Sequence, residues 1–414
     1  MNILSVAIKY ILYKPLSGLL NIILFGSGMT IIIVLLLFSR QFEDGLESNS
    51  KGIDLVIGAK GSPLQVVLCN IFHLDYPTGN IPLKEAEKIT KNRLVKSAIP
   101  LALGDSYQGF RIVGTTSEFL ALYDSTSAYL KDTMWNSSMK VLLGHTAASQ
   151  LAINSGDAFS SQHGMAIEGM SHEEEGFIVS GILDRTGTVI DNLILTTIPN
   201  IWNIHEPHEK ELLNGTLIKS RLIPGVELSG MDSAREITSV LIQYRSPIAA
   251  IQLPALINKN TSMMAAVPAF EISRLYALFG NGIDLLKLLG YILVGIASLS
   301  IFISLYNSMK ERKYDLAIFR TLGSARNTLF FIVLFEGIIL SSIGGLLGIL
   351  FGHLLMELVG ASILSSGSET FHGNIFYPEE FYLFFATLLL GLLASIIPAI
   401  TAMKIPISQT LSEK

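Results

Sequence analysis

The chain has 414 residues, half of them hydrophobic and only 15% charged, with a mean hydropathy of +0.50. Apolar residues in that excess, gathered into long runs, exclude an ordinary soluble domain. The formal charge of −5 is unevenly spread, and its distribution along the chain is informative.

Residues 1–15 come first. Ile3, Leu4, Ala7, Ile8, Ile11 and Leu12 recur at helical spacing with Lys9 and Lys14 nearby, which predicts a short interfacial helix on the cytoplasmic face. Leu16 to Phe38, Leu288 to Met309 and Phe381 to Met403 each run at least 22 residues without a charge. At about 1.5 Å per residue each is long enough to cross a hydrocarbon core of about 30 Å. A fourth run, Asn327 to Met356, is as long but carries Glu336, which must be satisfied at the headgroups or inside a helix bundle. The spans are therefore placed at 16–39, 285–309, 328–356 and 381–403. The first is read as a retained span and not a cleaved leader, because its run exceeds a signal h-region and LLLFSRQFEDG has no small-x-small site.

Orientation follows from the loops. Segment 310–327 holds Lys310, Arg312, Lys313, Arg320 and Arg326, whereas 357–380 has no Lys or Arg. The positive-inside bias puts the first in the cytoplasm and the second outside, with both termini, including the tail 404–414, cytoplasmic. Residues 40–284 then form a large extracytoplasmic insertion between the first two spans.

From Gln41 to Gly280 there are 25 Asp and Glu against 18 Lys and Arg, a net of −7 that leaves +2 for the rest of the chain. An acidic segment does not favour nucleic acid. Short strands are expected at Ile53 to Ile57, Phe110 to Gly114, Phe177 to Leu183, Asn192 to Ile198 and Thr238 to Tyr244. Helical patterns alternate with them at Leu83 to Arg93, Thr146 to Leu151 and Pro247 to Asn258. The fold class is thus a multi-pass α-helical membrane protein with four transmembrane helices and a large α+β extracytoplasmic domain. Two subdomains are expected in that domain, one an insert at roughly 121–230. Its only cysteine, Cys69, cannot close an internal disulfide and reads as a small buried hydrophobe rather than a nucleophile.

Motifs for chemistry fail on spacing. Gly58-Ala59-Lys60-Gly61-Ser62 lacks the phosphate-loop interval. His205-Glu206-Pro207-His208-Glu209 brings its second His one residue early and carries a proline where a zinc helix must continue. His172-Glu173-Glu174-Glu175 reads as a solvated acidic turn with at most a weak pull on cations. No nucleophile elbow or Ser-x-x-Lys pair occurs, so no enzyme site, metal site or directly bound cofactor is expected.

Packing machinery is more evident. Gly344, Gly348 and Gly352 repeat every four residues, with Gly337 and Ser341 extending the stripe, and let another helix approach closely, within the chain or in a dimer. Gly26, Gly28 and Thr30 offer a second small surface. Between the second and third spans, Leu316, Ile318, Phe319 and Leu322 fall near one face of a helical segment, ringed by Lys310, Arg312, Lys313 and Arg320. Such a face suits a soluble partner's groove or, alternatively, lipid headgroups.

The order of one span, a large insertion and three spans, with KERKYDLAIFRTLGSARN after the second and FEGIILSSIGGLLGILFG through the third, resembles the FtsX-like permease family of ABC transporters. That group includes MacB-type exporters and lipoprotein-releasing permeases of the LolC and LolE kind, which work by mechanotransmission. Glu311-Arg312, Phe319-Arg320-Thr321-Leu322-Gly323 and Glu336 with Gly344, Gly345 and Gly348 carry the match. Val141 to Asp157 and Phe177 to Thr196 resemble segments of the MacB-type core domain. The resemblance implies a separate MacB- or LolD-type cytoplasmic ATPase that holds ATP and Mg. It assigns ATPase coupling to Lys310, Glu311, Arg312, Asp315, Leu316, Phe319, Arg320, Leu322 and Gly323. It also implies a second permease copy or paralogue in the bacterial inner membrane, and leaves room for a periplasmic adaptor or lipoprotein. Export or lipoprotein extraction is the expected role, with a regulator of cell-wall hydrolases and an ATPase-independent receptor as alternatives.

Overall fold

The structure is a computed structural model and describes residues 3–123, 139–163, 171–205, 218–219, 222–223, 227–228, 235–364 and 371–405. Helices α1 (Ile3–Tyr13) and α2 (Pro15–Ser50) come first. Next are β1 (Leu55–Ala59), α3 (Pro63–Ile71), β2 (Ile81–Pro82), α4 (Leu83–Thr90), β3 (Val95–Tyr107), β4 (Phe110–Thr115), α5 (Glu118–Leu122), β5 (Lys140–Leu143), α6 (His145–Leu151), β6 (Ala158–His163) and β7 (Ser171–Ile182). After them come β8 (Leu193–Thr197), α7 (Ile198–His205), β9 (Ile218–Lys219), β10 (Glu227–Leu228), β11 (Glu236–Ile237), β12 (Ser239–Tyr244), α8 (Ala249–Asn260) and β13 (Met263–Ala266). Helices α9 (Pro268–Glu311), α10 (Lys313–Thr321), α11 (Arg326–Leu364) and α12 (Pro378–Met403) end the order. The chain divides into two compact units. One comprises Met1–Phe42, Phe279–Ser362 and Phe371–Lys414, the other Glu43–Leu278 and Ile363–Thr370.

The second unit is α+β. Nine strands form one sheet in the order β13-β1-β12-β3-β4-β8-β5-β7-β6. The long strand β3 changes partners midway: Val95 to Leu101 pair with β12, and Ala102 to Tyr107 pair with β4. Because β6 pairs back onto β3 at Asp105 and Ser106, the strands β3, β4, β8, β5, β7 and β6 close into a ring, which removes free edges from that part of the sheet. Gln108 and Gly109 both adopt positive φ, 46° and 88°, in the two-residue turn that joins β3 to β4. A mirror-image turn of this kind matches the right-handed twist of the flanking strands. Leu55, Ile57, Ile112, Val141, Phe177 and Ile194 share one core in which each is fully buried, so strands from both flanks of residues 121–230 and from within it contribute. The five expected strands are found as β1, β4, β7, β8 and β12. The longest, β3, was not expected, since Pro100 and Gly104 interrupt its pattern. Residues 172–175, expected as an acidic turn, lie instead within β7.

In the first unit, α2, α9, α11 and α12 are each long and apolar enough to cross a membrane. Expected span 16–39 lies within a 36-residue helix and expected span 285–309 within one of 44 residues; polar residues beyond the apolar runs stay helical because no interior proline breaks them. Helix α2 packs antiparallel to α9. Ser17 bonds Ser304 at 2.7 Å and the Ser300 hydroxyl donates to Asn21 Oδ1 at 2.7 Å, so these hydroxyls are paired across the interface, which favours helix association in an apolar surrounding. Helix α11 runs parallel to α2: a Cβ placed on Gly344, Gly348 or Gly352 would press on Phe25, Met29 or Ile33, respectively. Gly26 and Thr30 complete this contact, the Thr30 hydroxyl donating to the carbonyls of Gly26 and Gly348.

The small-residue stripe of α11 therefore serves two neighbours in succession. Gly337 and Ser341, expected to extend the Gly344 stripe toward one partner, meet Ser395 and Gly391 of α12 instead. Both contacts lie within one chain.

Candidate functional site

The segment from Tyr306 to Gly323 forms the end of α9, a corner at Arg312, all of α10, and a turn into α11. Helical hydrogen bonds continue through the corner, from Arg312 N to Ser308 O at 3.2 Å and from Leu316 N to Arg312 O at 3.0 Å. At its other end α10 closes with the Gly323 N–H on Arg320 O and the Ser324 N–H on Phe319 O, at 3.1 and 3.0 Å. Gly323 has φ +96°. This pair of bonds around a left-handed residue is the Schellman closure, for which glycine has no steric penalty.

Charges in this segment divide by burial. Arg312 is largely buried and donates through Nη1 to Glu336 Oε1 at 3.1 Å and through Nη2 to Glu336 Oε2 at 3.5 Å. Its side chain also bonds the Ser308 hydroxyl, and its guanidinium lies 4.1 Å from the Tyr10 ring centroid. Burial raises the Tyr10 phenol above its ordinary value, and the Arg312 cation opposes that rise. Glu336, the single acid of its apolar run, is 3% exposed and so finds its partner inside the helix bundle. By contrast Lys310 sits over the Tyr306 ring at 4.5 Å, and Glu311 pairs with Lys14 at the surface. Asp315 lies exposed in the first turn of α10, where a carboxylate complements the helix dipole.

The apolar residues divide as well. Leu316 is 3% exposed and belongs to the same buried cluster as Leu305, Met309, Ile332 and Val333, against which Phe319 packs in part. Leu322 is 78% exposed. The expectation of one free apolar face, Leu316 to Leu322, is therefore corrected: Leu316 serves the chain's own packing, and the free surface is the α10 C-terminal turn with Leu322, Gly323 and half-buried Arg320. The Arg312–Glu336 pairing is what the sequence reading did not join. Its signal was present as one acid in an apolar span and one arginine in a Glu-Arg pair just before it.

Residues 287–407 match the family model described as FtsX-like permease C-terminal. They contain all the residues named in this site except Tyr10 and Lys14. Over this segment the chain is similar to an FtsX-like permease. The chain thus combines four helices long and apolar enough to cross a membrane with a sheet-containing α+β domain between the first and second of them, and its last three such helices fall in the region of this similarity. Among solved structures, the chain is similar to the periplasmic region of MacB from Actinobacillus actinomycetemcomitans, with 10% identity, a TM-score of 0.33, and coverage of 56% of this chain and 97% of that one. It is also similar to the extracellular domain of the noncanonic ABC-type transporter YknZ from Gram-positive bacteria, with 10% identity, a TM-score of 0.28, and coverage of 51% and 98%. No curated protein matches the chain.

Elsewhere in the chain, the motifs that fail on spacing have structural explanations. Gly61 is packed against Thr78, whose hydroxyl donates to Ala59 O at 3.0 Å, so the turn from β1 to α3 is filled by this chain. Residues 206–209 of the His-Glu-Pro-His-Glu run lie outside the described residues. Cys69 is fully buried, and burial pushes its thiol up although Arg111 Nη1 stands 3.2 Å from Sγ. Nearby His73 is buried with neither ring nitrogen hydrogen-bonded. Burial, with the Arg111 cation adding to it, holds this imidazole down to about 3. Among the described residues no group of three or more His, Cys, Asp or Glu is arranged to hold a metal ion.

Proposed function

We propose that the protein is the permease subunit through which a separate cytoplasmic ATPase drives work on the other side of a bacterial inner membrane, as export or as extraction of a lipoprotein or lipid. In this reading both termini and the α9–α10–α11 turn are cytoplasmic, and the segment between the first two spans is extracytoplasmic. The lysine and arginine excess in 310–327 against 357–380 supports that orientation. ATP and Mg belong to the partner, and the work is done by movement of this chain.

One observation carries the reading. Within the permease match, a short helix between two spans ends in an exposed leucine beside half-buried Arg320, on a turn closed by two backbone hydrogen bonds. Arginine is enriched at protein-docking hot spots, and the exposed leucine beside it adds apolar area that a partner can bury. The test is co-purification from membranes under ATP-trapping conditions. A MacB- or LolD-type ATPase should be retained by the parent chain and lost with Leu322→Asp or Arg320→Glu. Failure of any ATPase to co-elute with the parent chain, or unchanged retention by both variants, would overturn the docking assignment.

A further inference from the structure

We propose that Arg312 is a positioning residue whose ion pair with Glu336 locks α10 onto α11, so that a push on α10 is delivered to α11 instead of being lost as bending at the ends of α10. This rests on the reading above that a partner pushes α10.

The backbone alone makes a poor lever. At one end α10 meets α9 at the Arg312 corner, where φ and ψ are −94° and 11°; at the other it meets α11 through a turn containing Gly323, the residue type with the widest backbone freedom. Either point can act as a hinge. Rigidity must come from side chains: Leu316 and, in part, Phe319 pack in the cluster that holds Ile332 and Val333 of α11, and Arg312 at the corner reaches Glu336. Leu316 contributes contact without direction. Arg312 contributes direction, because a planar guanidinium facing both oxygens of one carboxylate fixes angle as well as distance.

The geometry around the guanidinium restricts it from several sides. Glu336 of α11 lies across it, the Ser308 hydroxyl of α9 takes a further hydrogen bond, and the Tyr10 ring of α1 stacks on it. With the two side chains only 11% and 4% exposed, water has little access to either charge, and sliding α10 along α11 would separate opposite charges in a poorly solvated place. Lys310 and Glu311, two residues and one residue earlier, also make contacts but on the surface, where such pairs hold little.

The experiment places nitroxide labels at Thr321→Cys on α10 and Leu346→Cys on α11, in a Cys69→Ala background, in full-length chain in lipid nanodiscs. Distances are read in permease alone and in complex with its ATPase, nucleotide-free and ATP-trapped. The parent is expected to give one narrow distribution that does not change on trapping. Glu336→Gln should broaden it in the permease alone and make it shift on trapping, and the charge swap Arg312→Glu with Glu336→Arg should narrow it again. A distribution in Glu336→Gln that superimposes on the parent's overturns the proposal, as does a swap that remains as broad as the single variant. If Glu336→Gln does not fold, Arg312→Lys replaces it: this variant keeps the charge but not the two-pronged geometry, and an unchanged distribution overturns the lock. Since the permease-alone distances need no ATPase, a failed co-purification with an unchanged narrow parent distance would sink the docking reading and leave the lock standing.

Discussion

Met29 of α2 occupies the surface that Gly348 of α11 leaves open: a Cβ added to Gly348 would lie 2.5 Å from the Met29 Cβ, closer than two carbons can approach. The same holds four residues further on, between Ile33 and Gly352. The repeat of small residues thus has its partner within the chain, two helices that run the same way.

Gly348→Leu should therefore damage the fold of the single chain. Overpacking a close interface costs about 1–3 kcal/mol, which should lower the thermal midpoint in detergent at every protein concentration. A midpoint equal to the parent's, with only a change in oligomeric state, would show that the stripe faces another molecule.

Charge removal should separate the two ion pairs of the α9 end. Glu336→Ala leaves Arg312 buried without its counter-charge and should cost about 3–5 kcal/mol. Glu311→Gln removes an exposed pair with Lys14 and should cost under about 1 kcal/mol. Denaturation of the two variants side by side checks the contrast, and equal losses would contradict the burial assigned to Arg312 and Glu336.

The two leucines of α10 should fail in different ways. Leu316→Ala opens a cavity in the membrane unit's own core, and should cost about 2–5 kcal/mol wherever stability is measured. Leu322→Asp touches nothing buried and should leave the midpoint unchanged while abolishing retention of the proposed ATPase. A stability loss with Leu322→Asp would place that side chain in the fold and not at a docking surface.

The α+β unit should weaken in acid through His73. Its imidazole is held down to about 3 in the folded chain, against an ordinary value near 6.5 in the unfolded one. As pH falls below about 6.5 the unfolded chain takes up the proton first, so the contribution is intact above that value and is lost toward pH 3, at about 1.4 kcal/mol per pH unit. His73→Asn, which tolerates the positive φ of 54° at this position, should flatten the slope. Hydrogen exchange of the amides of β1 and β3 across this pH range measures it; identical slopes in parent and variant would refute the assignment.

Much of this architecture was legible without coordinates because the responsible forces act locally. A run of twenty apolar residues is long enough to be a span whatever surrounds it, and a short run rich in β-branched and aromatic residues, as in Phe110 to Gly114 or Thr238 to Tyr244, announces a strand by itself. The turn at Leu322-Gly323 is also local in origin, since glycine carries no steric penalty at its φ of +96°. Strand β3 escaped notice because Pro100 and Gly104 break its alternation, and what holds it are partners far along the chain: β12 for its first half, β4 and β6 for its second.

By itself, then, the sequence determined four runs long and apolar enough to cross a membrane, an acidic α+β insertion after the first, a basic segment between the second and third, and a resemblance to FtsX-like permeases over its last part. Only the tertiary structure decided that Glu336 answers Arg312, that Gly348 receives Met29, that β6 returns to β3, and that Leu316 turns inward while Leu322 does not. Periodicity reports which face of an element is apolar. It carries no information about which distant element covers that face, because that choice depends on shape and charge matched between residues as far apart in the chain as Met29 and Gly348.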